Sequence, residues 1–148
     1  MDTGKTPERR PTVSTKIFVN LPVQDLARSR EFFTRLGYSF NPQFSDDNAV
    51  CLVISDDIFA MLLVEPFFKS FTKKDVADSR TSTEVMLALS AESRADVDDL
   101  ADKALAAGGT PAGDPQDLGF MYGRSFYDLD DHHWEVVWMD PAALEEQG

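Results

Sequence analysis

The chain has 148 residues, 43% of them hydrophobic and 27% charged, which is the make-up of one ordinary globular domain rather than a disordered chain. Its formal net charge of -12 repels phosphate backbones and anionic lipid, so nucleic acid and membranes are poor partners. No apolar run approaches the roughly 20 residues of a membrane span, and Met1 to Arg10 does not have the pattern of a secretory signal. The lone cysteine, Cys51, excludes a disulfide framework and suits a reducing, cytoplasmic setting.

Residues 1–14 are polar, carry two prolines and read as a flexible arm. Ile17 to Val23 reads as a strand. Asp25 can cap a helix whose apolar positions Leu26, Phe32, Phe33 and Leu36 recur at helical spacing, and Gly37 ends it. Tyr38 to Phe44 is a strand interrupted by Pro42. Ala49 to Ile54 and Ile58 to Val64 form a hairpin around Ser55-Asp56-Asp57, and Pro66 closes it. Residues 67–82 are a long connection carrying Phe67, Phe68 and Phe71, of a length common in binding loops and linkers; a short helix sealing the core is the other reading. Glu84 to Leu89 reads as a strand, and Ser93 with Asp96 starts a helix that Gly108-Gly109 stops. After a Pro/Gly-rich stretch, Phe120 to Tyr127 and His133 to Met139 make a second hairpin around Asp128 to Asp131. Residues 142–148 are a tail.

The order strand, helix, strands ending in a hairpin occurs twice, over about 15–66 and 83–141, and both closing strands run into an acidic residue and a proline, Glu65-Pro66 and Asp140-Pro141. The expected fold is therefore α+β: one domain over 15–141, two βαβββ modules whose antiparallel-rich sheets pair into a cup. Alternation along the strands, with the last hairpin in simple register about Leu129-Asp130, sets Arg124 opposite Glu135, Tyr122 opposite Val137 and Phe126 opposite His133; a bulge would shift this by one residue. The expected lining is oily with a few polar groups: Phe18, Asn20, Ala60, Leu62, Glu84, Met86, Tyr122, Arg124, His133 and Glu135. His132, beside the hairpin tip, is expected to be solvated, and Trp134 and Trp138 to pack under the second helix.

Two stretches resemble the vicinal oxygen chelate superfamily, which includes glyoxalase I, bleomycin-resistance proteins, extradiol dioxygenases and methylmalonyl-CoA epimerase. They are Val23-Gln24-Asp25-Leu26 with Ser29 and Phe32-Phe33, and Gly123 to Asp130 running into His132 to Asp140. The chain is most similar to bacterial single-domain proteins described as lactoylglutathione lyase-like. The resemblance implies a divalent ion held from four strands, and those positions fall on Phe18, Ala60, Glu84 and Glu135. Two of them cannot ligate, while a Zn, Ni or Fe site ordinarily needs at least three protein ligands, so the expectation is no metal; a weak ion on the carboxylates is the alternative. Arg124 across the ladder is the expected partner of Glu135.

Three functions compete. The first is a metal-free protein holding a small organic ligand in the cup, with Arg124 and Tyr122 orienting an anionic or carbonyl-bearing group. The second is a lyase or isomerase of the glyoxalase kind, with Glu135 as the catalytic base and Glu84 beside it. The third is a module whose concavity is filled by its own phenylalanines. The resemblance also implies a homodimer.

Overall fold

The computed structural model describes residues 14–143; but for Ser14, Ala142 and Ala143, the expected N-terminal arm and C-terminal tail lie outside them. The first half comprises β1 (Ile17–Val23), α1 (Leu26–Arg35), β2 (Ser39–Asn41), a 3-10 turn at Pro42–Phe44, β3 (Ala49–Ser55) and β4 (Ile58–Val64). A short helix α2 (Glu65–Lys69) leads into the connection. The second half comprises β5 (Met86–Ser90), α3 (Arg94–Ala106), the two-residue strands β6 (Thr110–Pro111) and β7 (Gln116–Asp117), β8 (Met121–Tyr127) and β9 (His133–Met139).

Local chemistry sets the helix ends. The Asp25 carboxylate accepts from the Arg28 N–H at 3.1 Å, and the Ser93 hydroxyl accepts from the Asp96 N–H at 3.0 Å, so each helix start has a donor satisfied. Gly37 (φ 105°) and Gly108 (φ 112°) supply the left-handed residue after each helix. Pro66 sits in the first turn of α2, where its missing N–H costs no hydrogen bond.

Both sheets have the same plan. In the first, β1 lies parallel to β4 and the order is β1-β4-β3-β2. In the second, β5 lies parallel to β9, the order is β5-β9-β8-β6, and β7 also pairs with β8. The helix-covered sides of the two sheets share one core. Phe33 of α1 meets Trp134 of β9 with ring centroids 5.5 Å apart, and Phe32 lies 6.3 Å from Phe126 of β8. Gly109 passes so close to β8 that a Cβ there would stand 2.7 Å from the Tyr127 carbonyl oxygen. Cys51 is fully buried in β3, its N–H bonded to the Ser45 hydroxyl at 3.1 Å.

Register decides which side chains share this core, and it differs from expectation on two strands. Because Val19 pairs with Ala60 and Leu21 with Leu62, both Ala60 and Leu62 lie on the helix side and are completely buried. The opposite side of β4 carries Phe59 and Met61 instead, with Phe59 stacked on Phe18 at 4.8 Å. In the second sheet, Arg124 pairs with Val136, Tyr122 with Trp138 and Phe126 with Trp134, so Arg124 and Glu135 do not face each other. The tip is the physical reason. The Asp131 N–H bonds to the Asp128 carbonyl at 3.1 Å, the Asp128 N–H to the His132 carbonyl at 3.1 Å, and Asp131 adopts φ 63°. This is a turn followed by a left-handed residue, with three residues in the loop rather than two. The extra residue shifts the register by one and turns all of β8 over.

Candidate functional site

The second hairpin tip is bolted to the start of α1. Asp130 accepts from the Gln24 N–H at 3.0 Å and from the Ser29 hydroxyl at 3.3 Å, and its carbonyl accepts from the Ser79 hydroxyl at 2.6 Å. His132 is buried, not solvated: its Nε2 lies 2.7 Å from the Pro22 carbonyl oxygen. Behind it, the buried Asp128 carboxylate accepts from Trp134 Nε1–H at 2.8 Å and from the N–H groups of Asp130 and His132 at 2.8 and 3.0 Å. Burial pushes the Asp128 carboxyl above the ordinary range, opposed by His132 and these donors.

Between this joint and the connection lies a cleft of about 110 Å³. Its apolar walls come from Leu21 and Pro22 at the end of β1, Phe68 of α2, and Val76, Ala77 and Val85 of the connection. Asn20, Glu84, Asp131 and His133 supply side-chain polarity, with hydroxyls from Ser79, Ser82 and Thr83. A larger and more polar cleft of about 250 Å³ adjoins it across Pro22, Ala77, Ser79 and Asp131 and is edged by Gln24, Glu65, Asp78 and Arg80.

The structure brings three of the expected lining residues, Asn20, Glu84 and His133, to one cleft. Glu84 stands two residues before β5, exposed. Glu135 lies beside the cleft through His133, whose Nε2 is 3.1 Å from the Glu135 carboxylate; their side chains are 14% and 37% exposed. Phe18 and Met86 stay on the open faces of their sheets, 45% and 59% exposed. Tyr122 and Arg124 are elsewhere. The Tyr122 hydroxyl donates to Asp98 of α3 at 2.6 Å, and Arg124 reaches Asp98 at 3.1 Å and Asp102 at 2.8 Å. The hydrogen bond from Tyr122, with Arg124, holds the Asp98 carboxyl below its ordinary value. Arg94 continues this helix-side network, forking onto Asp117 at 2.8 and 2.9 Å and lying over the rings of Tyr122 and Trp138. Sequence reasoning missed Ser79, Val76, Ala77 and Asp131; the length of the connection and its phenylalanines were the only signal, and of these Phe68 is in the wall.

Comparison with known proteins agrees with this architecture. Residues 15–55 match the model of the bleomycin resistance protein-like N-terminal domain. A hypothetical protein from S. aureus, SA1046, is 30% identical, with 85% of this chain and 95% of that one covered and a TM-score of 0.72. The chain has the fold of the glyoxalase/bleomycin resistance proteins, and its first part matches the bleomycin resistance family in sequence. Its fold is also that of a glyoxalase-related enzyme from Fulvimarina pelagi (19% identity, 85% and 88% covered, TM-score 0.71). The fosfomycin resistance protein FosX from Mesorhizobium loti shares it at 16% identity (93% and 99% covered, TM-score 0.61). No curated protein is significantly similar to the chain.

The divalent ion that the resemblance implies finds a poor donor set. Of the four positions implied, Phe18 has no donor, Ala60 faces the core, and Glu84 and Glu135 occupy different settings, one lining the cleft and one beside it. Phe59 and Met61, which stand where Ala60 was expected, offer an aromatic ring and a thioether. Among the described residues no group of three or more His, Cys, Asp or Glu side chains could hold a metal ion. The described residues do not fit that ion.

Proposed function

We propose that the protein binds a small organic ligand, without the family's metal, in the cleft between the end of β1, the connection and the start of β9. The observation that supports this most is the cleft itself: apolar walls with a few convergent polar groups, the usual make-up of a small-molecule site. Ala77, at the surface in its wall, gives the test. Saturable increases in melting temperature with members of a panel of hydrophobic metabolites and antibiotics are expected, and Ala77→Trp should abolish them by filling the cleft. No saturable ligand across a broad panel would count against the reading.

The His133–Glu135 pair favours a second reading, a lyase or isomerase. Glu135 accepting from Nε2–H would fix the ring tautomer and leave Nδ1 as an acceptor, so the pair could take up a proton next to a carbonyl and return it. Turnover of the methylglyoxal–glutathione adduct that is lost in Glu135→Gln would support it. No turnover, with or without added Ni or Zn, would remove the glyoxalase I activity from consideration.

The setting is read from the same chemistry. No helix among the described residues is long and apolar enough to cross a membrane, and one buried thiol suits the reducing cytoplasm. The exposed Phe18 and Met86 on the open sheet faces suit a homodimer, which sedimentation at micromolar concentration would reveal.

A further inference from the structure

If the cleft is the ligand site, its side chains also select the charge of the ligand. Strand parity alone offers Arg124 and Tyr122 to orient an anion or a carbonyl. The one-residue register shift removes both to the α3 side, where Asp98 and Asp102 engage them. What remains around the cleft is two carboxylates beside neutral amide and hydroxyl groups and the His133 ring. Among the described residues no lysine or arginine lines it. Glu84 makes no hydrogen bond or ion pair among the described residues, and Asp131 adds a second carboxylate from the hairpin tip. His133 has its Nε2 engaged by the Glu135 carboxylate at 3.1 Å. Arg80 lines the neighbouring cleft and is forked onto Asp78 at 3.1 and 3.4 Å. An anion entering here would be desolvated against carboxylates, with no cation among the described lining residues. A protonated amine would meet carboxylates against an apolar wall, where screening by water is reduced.

We propose that this cleft selects a small apolar amine, in its protonated form, over an anion of the same shape. Its volume of about 110 Å³ suits a branched group of a few carbons, since an apolar cavity of about 150 Å³ holds benzene. The ammonium lies toward Glu84 and Asp131 and the hydrocarbon against Phe68, Val76 and Val85. Arg80 shares the field of Asp131, so Glu84 is the stronger determinant.

Isobutylamine, isobutanol and isobutyrate form a near-isosteric set that isolates the charge. Each is titrated into the ¹⁵N-labelled full chain, with the backbone amides of residues 20–21, 76–85 and 132–133 as reporters. Isobutylamine is expected to saturate these shifts at a concentration at least ~10-fold lower than isobutyrate, a tenfold ratio being ~1.4 kcal/mol, with isobutanol between them. Glu84→Gln should weaken the amine several-fold and leave the alcohol unchanged. Asp131→Asn, which keeps a residue tolerant of left-handed backbone, should weaken the amine less. Isobutyrate binding as tightly as the amine, or Glu84→Gln weakening amine and alcohol alike, overturns the inference while leaving the cleft as the ligand site. Absence of saturable shifts there with all three compounds overturns both.

Discussion

The two hairpins of the molecule look interchangeable in sequence and differ in almost everything that matters. The β3–β4 turn is Asp56-Asp57, two residues between Ser55 and Ile58, and it is attached to the adjacent start of β1, by the Ile17 N–H to the Asp57 carbonyl at 2.9 Å and an exposed ion pair from Lys16 to Asp57 at 3.1 Å. The β8–β9 turn has one residue more, takes a left-handed Asp131, is braced from within by Asp128, and is anchored by Asp130 and His132 to three other parts of the chain. One tip ends a ladder. The other fixes the seam between the halves and forms a wall of the cleft. Acidic composition at a turn therefore says little about its role; loop parity and what lies behind the turn say more.

The sharpest way to break the comparison is to remove one aspartate from each tip. Asp128→Ala leaves Trp134 Nε1–H and two backbone N–H groups without their acceptor inside the protein, and should cost about 3–5 kcal/mol. Asp57→Ala, at an ion pair whose side chains are about half exposed, should cost within ~0.5 kcal/mol. Urea unfolding of the two variants measures the gap; equal losses would mean that the second tip is no more than a turn.

A middle-sized effect tests the register. Arg124→Gln removes a guanidinium only 18% exposed from between two aspartates of α3, and should lower stability by about 1–2 kcal/mol. The isobutylamine titration should not change. If binding fell with Arg124, its side chain would have to be on the cleft side and the shifted register would be wrong.

The smallest effect concerns β7. Arg94 holds the Asp117 carboxyl down at about 2, from an ordinary 3.8. A lowered carboxylate stabilises the native state in full above the ordinary value and loses that contribution as pH falls through about 2. The difference in urea midpoint between the wild type and Asp117→Asn should therefore be constant near neutral pH and vanish toward pH 2. Because the pair is exposed, salt should reduce it as well.

Much of the fold was legible because its signals are local. Asp25 and Ser93 as caps, Gly37 and Gly108 as stops, and the repeated strand order each depend on a few neighbouring residues. The faces of β4 were not legible, since Ile58 to Val64 is apolar on both sides and no polar residue marks the solvent face. Those of β8 depended on whether the Asp128–Asp131 turn held two residues or three, and a run of acidic residues fits both. That single ambiguity moved Tyr122 and Arg124 to the wrong side while leaving His133 in place. Half of the cleft comes from the connection, where no periodicity assigns a side chain to a surface, so Ser79 and Ala77 could not be read in advance.

Cys51 has a consequence of its own. It is the chain's single thiol, it sits in the central part of a strand flanked on both sides, and it is completely shielded from solvent. A thiol reagent can reach it only when the first sheet opens. The protein thus carries a natural clock: the speed at which Cys51 is labelled counts the openings of one half of the molecule, without any engineered reporter.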